Sequence, residues 1–475
     1  MFIHLLFAGC SKEEAIDNVD PDVPDVEISE EEMEIAIQNL ERVDQKMQPL
    51  FQASENLDDL AQHLDEIKAM EGVEDAWVGE DEMTLWVQIE NGGKIFYHYP
   101  MVDVELKTLT MVSNLEKQLR NMTTIGQTDR SVCIINQTSS DYRFAHIKKE
   151  CERLRQTFQE KGFKVMDHVV EKEEFTVEFL TDEMPKYDVI FMISHGMIQE
   201  NASTETPFFL ITGEQVQTNE ERLYWQELVT KGLAYPGHVD ERDAQGRKDT
   251  IKYISVNSEY LKRSKEYKEN RSILFNSACC SLKEGKSLWE VLSSRKLGCY
   301  LGFDDIISSS KAINAATDFF GRLFTGITVS KAFNTMPDDL KKNLESRGEK
   351  GKRYSADLHC YPSDCQITLF DKLEITDEEV VDLGLSVKWA KKNLGASNYT
   401  DKGNGYEDYK YMDIYYEDPI LVGEDGEDVN LSGHSKYDYA RKALGGNWRM
   451  PTSKEWQELK DKPKSVIRKG SFLYF

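Results

Sequence analysis

The sequence predicts an α/β fold in which a mostly parallel sheet carries helices on both faces. The first observation is a series of short apolar runs, bounded by polar turns, that is typical of buried strands: residues 132–135, 164–170, 189–193, 208–211, 273–275 and 298–303. The second is that amphipathic helical patterns alternate with these runs. The third is length, because 475 residues suggest about three structural units, of which this sheet is one.

The composition is that of a folded, acidic protein. Hydrophobic residues make up 40% of the chain, which excludes disorder over its whole length. No apolar run approaches the roughly 20 residues that a membrane-spanning helix needs. The formal net charge of −27 argues against a nucleic-acid partner, because phosphate binding requires a basic surface.

The eight cysteines are too sparse for a disulfide scaffold, and none lies in the C-x-x-C spacing of a zinc site. The spacing therefore does not predict a zinc site. Cys360 and Cys365 are close enough in sequence for a local disulfide, although two free thiols fit the spacing equally well.

The start of the chain resembles the signal and lipobox of a bacterial lipoprotein. Residues 1–10 are an apolar run that ends in Ala8-Gly9-Cys10, and the following Ser-Lys-Glu-Glu is similar to the acidic export signal of Bacteroidetes-type surface lipoproteins. The resemblance implies lipidation of Cys10 and a lipid anchor in the outer membrane, facing the cell surface or the periplasm. The alternative is a buried N-terminal strand, which the acidic, proline-containing tether 11–29 disfavours.

Residues 30–125 are predicted to form a small α+β unit. Ser29 and Glu32 make a capping box before a helical apolar pattern that extends to Met47. Residues 84–89 and 94–99 alternate in polarity around an Asn-Gly turn, which indicates a β-hairpin.

Two roles are open for this N-terminal unit. It could be an inhibitory pro-region that covers a cleft and is released by a cut in the small, polar stretch 123–129. It could instead only separate the next domain from the membrane.

Two predicted strands run directly into residues that can carry chemistry. The run 189–193 leads into Ser194-His195-Gly196, and the run 273–275 leads into Asn276-Ser277-Ala278-Cys279-Cys280. Since chemistry in such sheets sits at the carboxyl ends of strands, we expect the His195 and Cys279 side chains within about 7 Å of each other. A thiol beside an imidazole is the arrangement of nucleophilic thiol catalysis. For either residue alone, a structural role in the core is the alternative.

This pattern resembles the cysteine peptidases of clan CD, the caspase-like enzymes, and is most similar to their CHAT-domain group. Ser277-Ala278-Cys279, the stretch 285–289 and the strand 298–303 carry the resemblance. It implies a caspase-like domain over residues 126–370 that hydrolyses a protein or peptide substrate without a cofactor. It also implies that His195 is the general acid/base, that Cys279 is the nucleophile, and that the Gly196 and Cys279 amides form the oxyanion hole.

The sequence departs from the family at two places. Cys280 duplicates the nucleophile, and Cys279 is preferred because it follows Ala278. Ser277 stands where members that cleave after basic residues often carry Asp. Ser277, Asp304 and Asp305 are candidate substrate-pocket residues, and a solvated loop is the alternative for the two acids.

An insertion at residues 201–271 follows the histidine strand. It is expected to contain strands at 208–211 and 251–256, with exposed loops at 236–237 and 243–248.

Residues 376–465 resemble a partial Fibrobacter succinogenes major paralogous domain, which is a lectin-like module of bacterial surface proteins. The motif runs from Val381 to Ala390 and from Gly445 through Trp448 to Trp456, where the family pattern normally continues. Its tyrosine-rich loop 406–416 suggests a surface glycan as a partner, with loop packing as the alternative.

The sequence therefore favours a lipoprotein cysteine endopeptidase. Two rivals remain, a catalytically degenerate caspase-like scaffold and a glycan-binding adhesion lipoprotein.

Overall fold

The computed structural model describes residues 29–90, 93–102, 128–199, 208–215, 219–249, 251–283, 288–347 and 352–370, with short pieces between 380 and 461. Cys10, the Asn-Gly turn 91–92, the stretch 123–127 and the tyrosine-rich loop 406–416 lie outside the described residues. So does most of the stretch 285–289.

The regular elements alternate along the chain as the sequence predicts. The helices of the described ranges are α1 (Glu30–Ala53), α2 (Leu57–Ala61), α3 (Leu64–Lys68), α4 (Ala145–Glu160), α5 (Asn219–Thr230), α6 (Leu288–Ser294), α7 (Ser309–Leu323), α8 (Val329–Asn334) and α9 (Ser453–Lys460). The strands are β1 (Val73–Val78), β2 (Thr84–Ile89), β3 (Lys94–His98), β4 (Ser131–Asn136), β5 (Lys164–Val165), β6 (Val170–Glu171), β7 (Val189–Ile193), β8 (Gly196–Ile198), β9 (Phe208–Gln215), β10 (Ala234–Val239), β11 (Lys252–Asn257), β12 (Ile273–Asn276), β13 (Cys299–Phe303), β14 (Leu344–Arg347), β15 (Arg353–Ala356), β16 (Leu358–Tyr361), β17 (Val380–Val381), β18 (Trp389–Ala390), β19 (Ile420–Val422) and β20 (Asp428–Asn430). Short 3-10 or π turns occupy Tyr142–Phe144, Lys172–Glu174, Phe179–Glu183, Met184–Lys186, Tyr260–Arg263 and Asp338–Leu340.

Local signals set several helix ends. Ser29 and Glu32 form the predicted capping box at the start of α1. In α4 the four apolar residues at helical spacing are the buried ones, and Gly162 follows the helix with a φ of +88°. Glycine adopts a positive φ without the steric cost that other residues incur, so Gly162 is suited to end the helix.

The predicted parallel sheet is present. Its order is β16-β13-β12-β7-β4-β5, with β6 also paired to β4. All neighbours are parallel except β16, which runs antiparallel to β13. We call it the parallel sheet.

A second sheet of seven strands has the order β1-β2-β3-β10-β11-β9-β8, and we call it the mixed sheet. It joins the N-terminal unit to the insertion, because β3 pairs in parallel with β10. A Cβ built on Gly237 would lie 2.3 Å from the Phe96 carbonyl oxygen, so this pairing needs glycine. The boundary predicted near residue 126 therefore does not separate two independent sheets.

The insertion differs from expectation in two respects. Phe208 to Ile211 lie in the mixed sheet, although their apolar run suggested a strand of the parallel sheet. Pro236 and Gly237 lie in the buried strand β10, although a Pro-Gly pair is typical of an exposed loop. Pairing with a distant strand overrides the local turn signal at this position.

The two faces of the parallel sheet are covered differently. Helices α4 and α7 pack on one face around Phe158, Phe275 and Phe320. The other face packs against α6, several short turns and strands β9 and β11 of the mixed sheet. Within the described ranges, no helix combines the length and the apolar character needed to cross a membrane.

The described pieces of the C-terminal module are small. Arg449 forms an ion pair with Glu455, and Ser386 donates a hydrogen bond to Glu458 on α9. The glycan-binding prediction falls on tyrosines outside the described residues.

Candidate active site

His195 lies at the junction of the two sheets. Strand β7 is buried throughout and ends at Ile193, and β8 begins at Gly196 as the edge strand of the mixed sheet. The chain therefore passes from one sheet to the other through Ser194 and His195.

The candidate nucleophile follows the neighbouring parallel strand. Strands β7 and β12 pair as far as Met192 and Asn276. Ser277 then donates both its backbone N–H and its hydroxyl to the Met192 carbonyl, at 2.8 and 2.9 Å. These bonds hold the two strand ends together three residues before His195 and two residues before Cys279.

Close backbone contact continues beyond the strands. A Cβ built on Gly196 would lie 2.5 Å from the carbonyl oxygen of Cys279. Any side chain at position 196 would push the two segments apart. The structure thus brings the His195 and Cys279 segments to one edge of the parallel sheet, and the separation of about 7 Å between their side chains stays a prediction.

The structure distinguishes the two adjacent thiols. Cys279 is partly exposed, and its Sγ lies 3.6 Å from the Ile307 carbonyl oxygen. Cys280 is fully buried with a φ of +59°, and its N–H donates to the Asp305 carbonyl. Of the two thiols, only Cys279 is reachable from solvent.

His195 is buried among rings and cations. Its ring centroid lies 5.3 Å from that of His98 and 5.9 Å from that of Phe144. Burial holds the pKa of His195 well below its usual range, and His98, Lys172 and Arg143 add to this effect. The imidazole is therefore neutral at pH 7, and its Nε2 carries no hydrogen bond among the described residues.

Cys279 is neutral for the same reason. Burial raises its pKa to about 12, and the nearby carboxylates of Asp81 and Asp305 act in the same direction. At rest Cys279 is therefore a thiol and His195 a neutral imidazole, rather than a thiolate and an imidazolium. Chemistry at Cys279 then requires proton transfer to a base during attack.

The register of the mixed sheet leaves the Gly196 amide outside the ladder. Ile211 donates its N–H to the His195 carbonyl, so His195 and Ile211 form a hydrogen-bonded pair. Since pairs alternate in an antiparallel ladder, the next pair, Gly196 with Leu210, is not hydrogen-bonded. The N–H of Gly196 consequently faces away from β9.

The candidate pocket residues are placed differently from one another. Ser277 is buried and its hydroxyl is bonded to Met192, so it is not directed to a substrate. Asp304 accepts from the Asp357 N–H at 2.7 Å and contacts His359 Nε2 at 2.9 Å. Asp305 is the acid close enough to influence the Cys279 thiol.

Sequence reasoning missed the residues that the N-terminal unit brings to this edge. Met83 and Met101 pack with Cys280 and Cys279, and Asp81 accepts a hydrogen bond from the Ile198 N–H at 3.3 Å. His98, at the end of β3, contacts His195. No spacing pattern marks these residues, because they reach the site only through the pairing of β3 with β10.

The remaining cysteines in the described ranges are unpaired. Cys299 Sγ lies 3.8 Å from Cys360 Sγ across neighbouring strands, and Cys360 forms no disulfide with Cys365. Among the residues that the structure describes, no group of His, Cys, Asp or Glu is arranged to hold a metal ion.

No family model matches the chain, and no curated protein matches it significantly.

Proposed function

We propose that the protein is a cysteine endopeptidase of the caspase-like clan CD, most similar to the CHAT group, with its catalytic residues in the region 126–370. The observation that carries the proposal is the contact between the Gly196 and Cys279 backbones at the carboxyl edge of the parallel sheet. It places an imidazole segment and a partly exposed thiol on adjacent strand ends.

In this proposal the Cys279 thiol attacks the peptide carbonyl carbon while its proton passes to His195. The oxyanion that forms accepts hydrogen bonds from the Gly196 and Cys279 amides. Collapse of this intermediate breaks the C–N bond, and His195 gives the proton to the leaving amine. Water, activated by His195, then hydrolyses the thioester and releases the thiol.

One observation favours a second candidate, a degenerate scaffold. The acids Asp81 and Asp305 raise the pKa of Cys279, whereas an activated thiol usually lies near positive charge. The two candidates differ in whether the thiol turns over a peptide.

The deciding experiment compares Cys279→Ala with Cys280→Ala in hydrolysis of an unfolded protein and a mixed fluorogenic peptide library. We expect the first variant to lose about a thousandfold or more in kcat/KM, because the nucleophile is removed. The second should stay within about threefold of the unmodified protein, because Cys280 is buried. Hydrolysis that survives in Cys279→Ala, or is absent from the unmodified protein, contradicts the proposal.

The pH profile should follow the two pKa shifts. The pKa of His195 is lowered, so the base form persists below pH 6.5 and is lost only on further acidification. The pKa of Cys279 is raised to about 12, so the thiol keeps its proton throughout the neutral range. We expect a plateau in kcat/KM across neutral pH, and a steep rise near pH 8 would instead indicate a simple thiolate.

We further propose that Cys10 is lipidated and anchors the protein in the outer membrane, at the cell surface or facing the periplasm, with the lectin-like region 376–465 contacting surface glycan. When the protein is expressed in a Bacteroidetes-type bacterium, labelled palmitate should be incorporated into the full chain but not into the Cys10→Ser variant. The variant should also leave the membrane fraction. Equal labelling of both chains excludes the anchor.

A further inference from the structure

The N-terminal unit contributes a chain of buried polar groups to the candidate site. The Asp81 carboxylate accepts from the Thr84 hydroxyl at 2.8 Å, and the Thr84 oxygen lies 2.9 Å from His98 Nδ1. All three residues are at most 1% exposed. Buried polar groups joined in this way define one orientation for each member.

The direction of these hydrogen bonds assigns the His98 tautomer. Asp81 accepts backbone N–H bonds from Met83 and Thr84 on Oδ1 and from Ile198 on Oδ2, and these bonds oppose the rise in its pKa that burial causes. We take Asp81 as the carboxylate that these donors favour, so it acts as an acceptor. The single Thr84 proton is therefore given to Asp81, and the Thr84 oxygen must accept from His98. His98 then carries its proton on Nδ1 and a lone pair on Nε2. Burial lowers the pKa of His98 to about 3, which keeps the ring neutral.

The oriented ring of His98 packs on His195. The ring centroids are 5.3 Å apart with an interplanar angle of 51°. The other groups that face His195 are the Phe144 ring and the cations Lys172 and Arg143. Of these neighbours, His98 alone comes from the N-terminal unit.

The same carboxylate reaches the other half of the site. Its Oδ2 accepts from the Ile198 N–H, which lies on the side of β8 that faces away from β9. Gly196 N–H is on that side as well, two residues earlier. Asp81 therefore fixes both the edge strand that carries Gly196 and the Thr84–His98 pair.

We propose that His98, held by Thr84 and Asp81, is a positioning residue for His195, so that the N-terminal unit completes the active site. This inference rests on the proposed function. It assigns to residues 81–98 a permanent role in place of the pro-region or spacer expected from sequence.

Thr84→Val in the full chain removes the hydroxyl at nearly constant volume. The matched control is Thr212→Val in the same sheet, since Thr212 is also fully buried and donates to the Ile254 carbonyl at 2.8 Å. We expect Thr84→Val to lower the rate at which a peptide chloromethyl ketone modifies Cys279 about tenfold, and to shift the pH profile of that rate. Thr84→Ser should restore the rate, and the control should stay within about twofold.

A second variant covers the case in which Thr84→Val does not fold. His98→Asn keeps a side-chain N–H for Thr84 but removes the ring that contacts His195, and it should lose about the same tenfold. Nitrogen NMR of the unmodified protein should also find His98 protonated on Nδ1.

The possible failures are distinguishable. Full reactivity in Thr84→Val or in His98→Asn, or a His98 proton on Nε2, overturns the inference and leaves the peptidase proposal standing. Absence of peptide hydrolysis in the unmodified protein overturns the peptidase, while the NMR result still reports on the Asp81–Thr84–His98 chain.

Discussion

A chain that begins at Arg130 is expected to be insoluble or unfolded rather than more active. It lacks β1 to β3, so strand β10 loses its parallel partner and an edge of the mixed sheet is exposed. Trp86 and Phe96, both fully buried, disappear from the core shared with Phe209 and Tyr235. Loss of each large aromatic costs about 3–5 kcal/mol, and two such losses approach the whole stability of a typical domain.

Soluble yield, gel filtration and near-UV circular dichroism measure this outcome. The control is a chain that begins at Ser29, which keeps every element from α1 onward and should match the full chain. A soluble Arg130 chain with higher peptidase activity would restore the pro-region hypothesis. Equal activity would restore the spacer.

Lys172→Met is expected to destabilise the protein by about 3–5 kcal/mol, because it leaves a buried carboxylate without its cation. The Lys172 amine pairs with Glu241, lies 3.5 Å from the Tyr253 ring centroid, and is almost fully buried, as is Glu241. Burial lowers the pKa of Lys172 and raises that of Glu241. The positive charge of Lys172 also lowers the pKa of His195. Lys172→Met should therefore raise the pKa of His195.

Denaturant unfolding followed by tryptophan fluorescence gives the free-energy change. Lys148→Met is the matched control, because Lys148 pairs with Glu171 at the surface and such pairs contribute at most about 1 kcal/mol. Adding Glu241→Gln to Lys172→Met should recover part of the loss, since it removes the isolated charge. A Lys172 effect no larger than that of Lys148 would contradict the role of the buried pair.

Much of the fold was predictable because its signals are local. The apolar run 189–193 and the capping box at Ser29 each depend on residues only a few positions apart, and both are confirmed. The sheet to which a strand belongs depends instead on its pairing with segments that are distant in the sequence. Phe208 to Ile211 have the composition of a parallel-sheet strand but pair with β8 and β11, and no local pattern records that choice.

The residues of the candidate site also fall into those with a local sequence signal and those that depend on distant pairing. His195 and Cys279 could be found because each directly follows a strand, and neighbouring parallel strands end at one edge. Asp304 could not be assigned from sequence, because its partner His359 lies on the distant strand β16. His98 was equally hidden, since its contact with His195 depends on the fold of a separate part of the chain.

The parallel pairing of β3 with β10 also sets the order in which the molecule can assemble on the ribosome. Phe96 cannot pair until Gly237, about 140 residues later in the chain, has been synthesised. Synthesis of that stretch takes on the order of ten seconds at ordinary rates of translation. Until then the hairpin of β2 and β3 has an unpaired edge, and contacts of such high contact order form slowly. The nascent chain consequently cannot hold His98 against His195 until about half of it has been synthesised, so the proposed peptidase stays inactive over at least the first half of its own production.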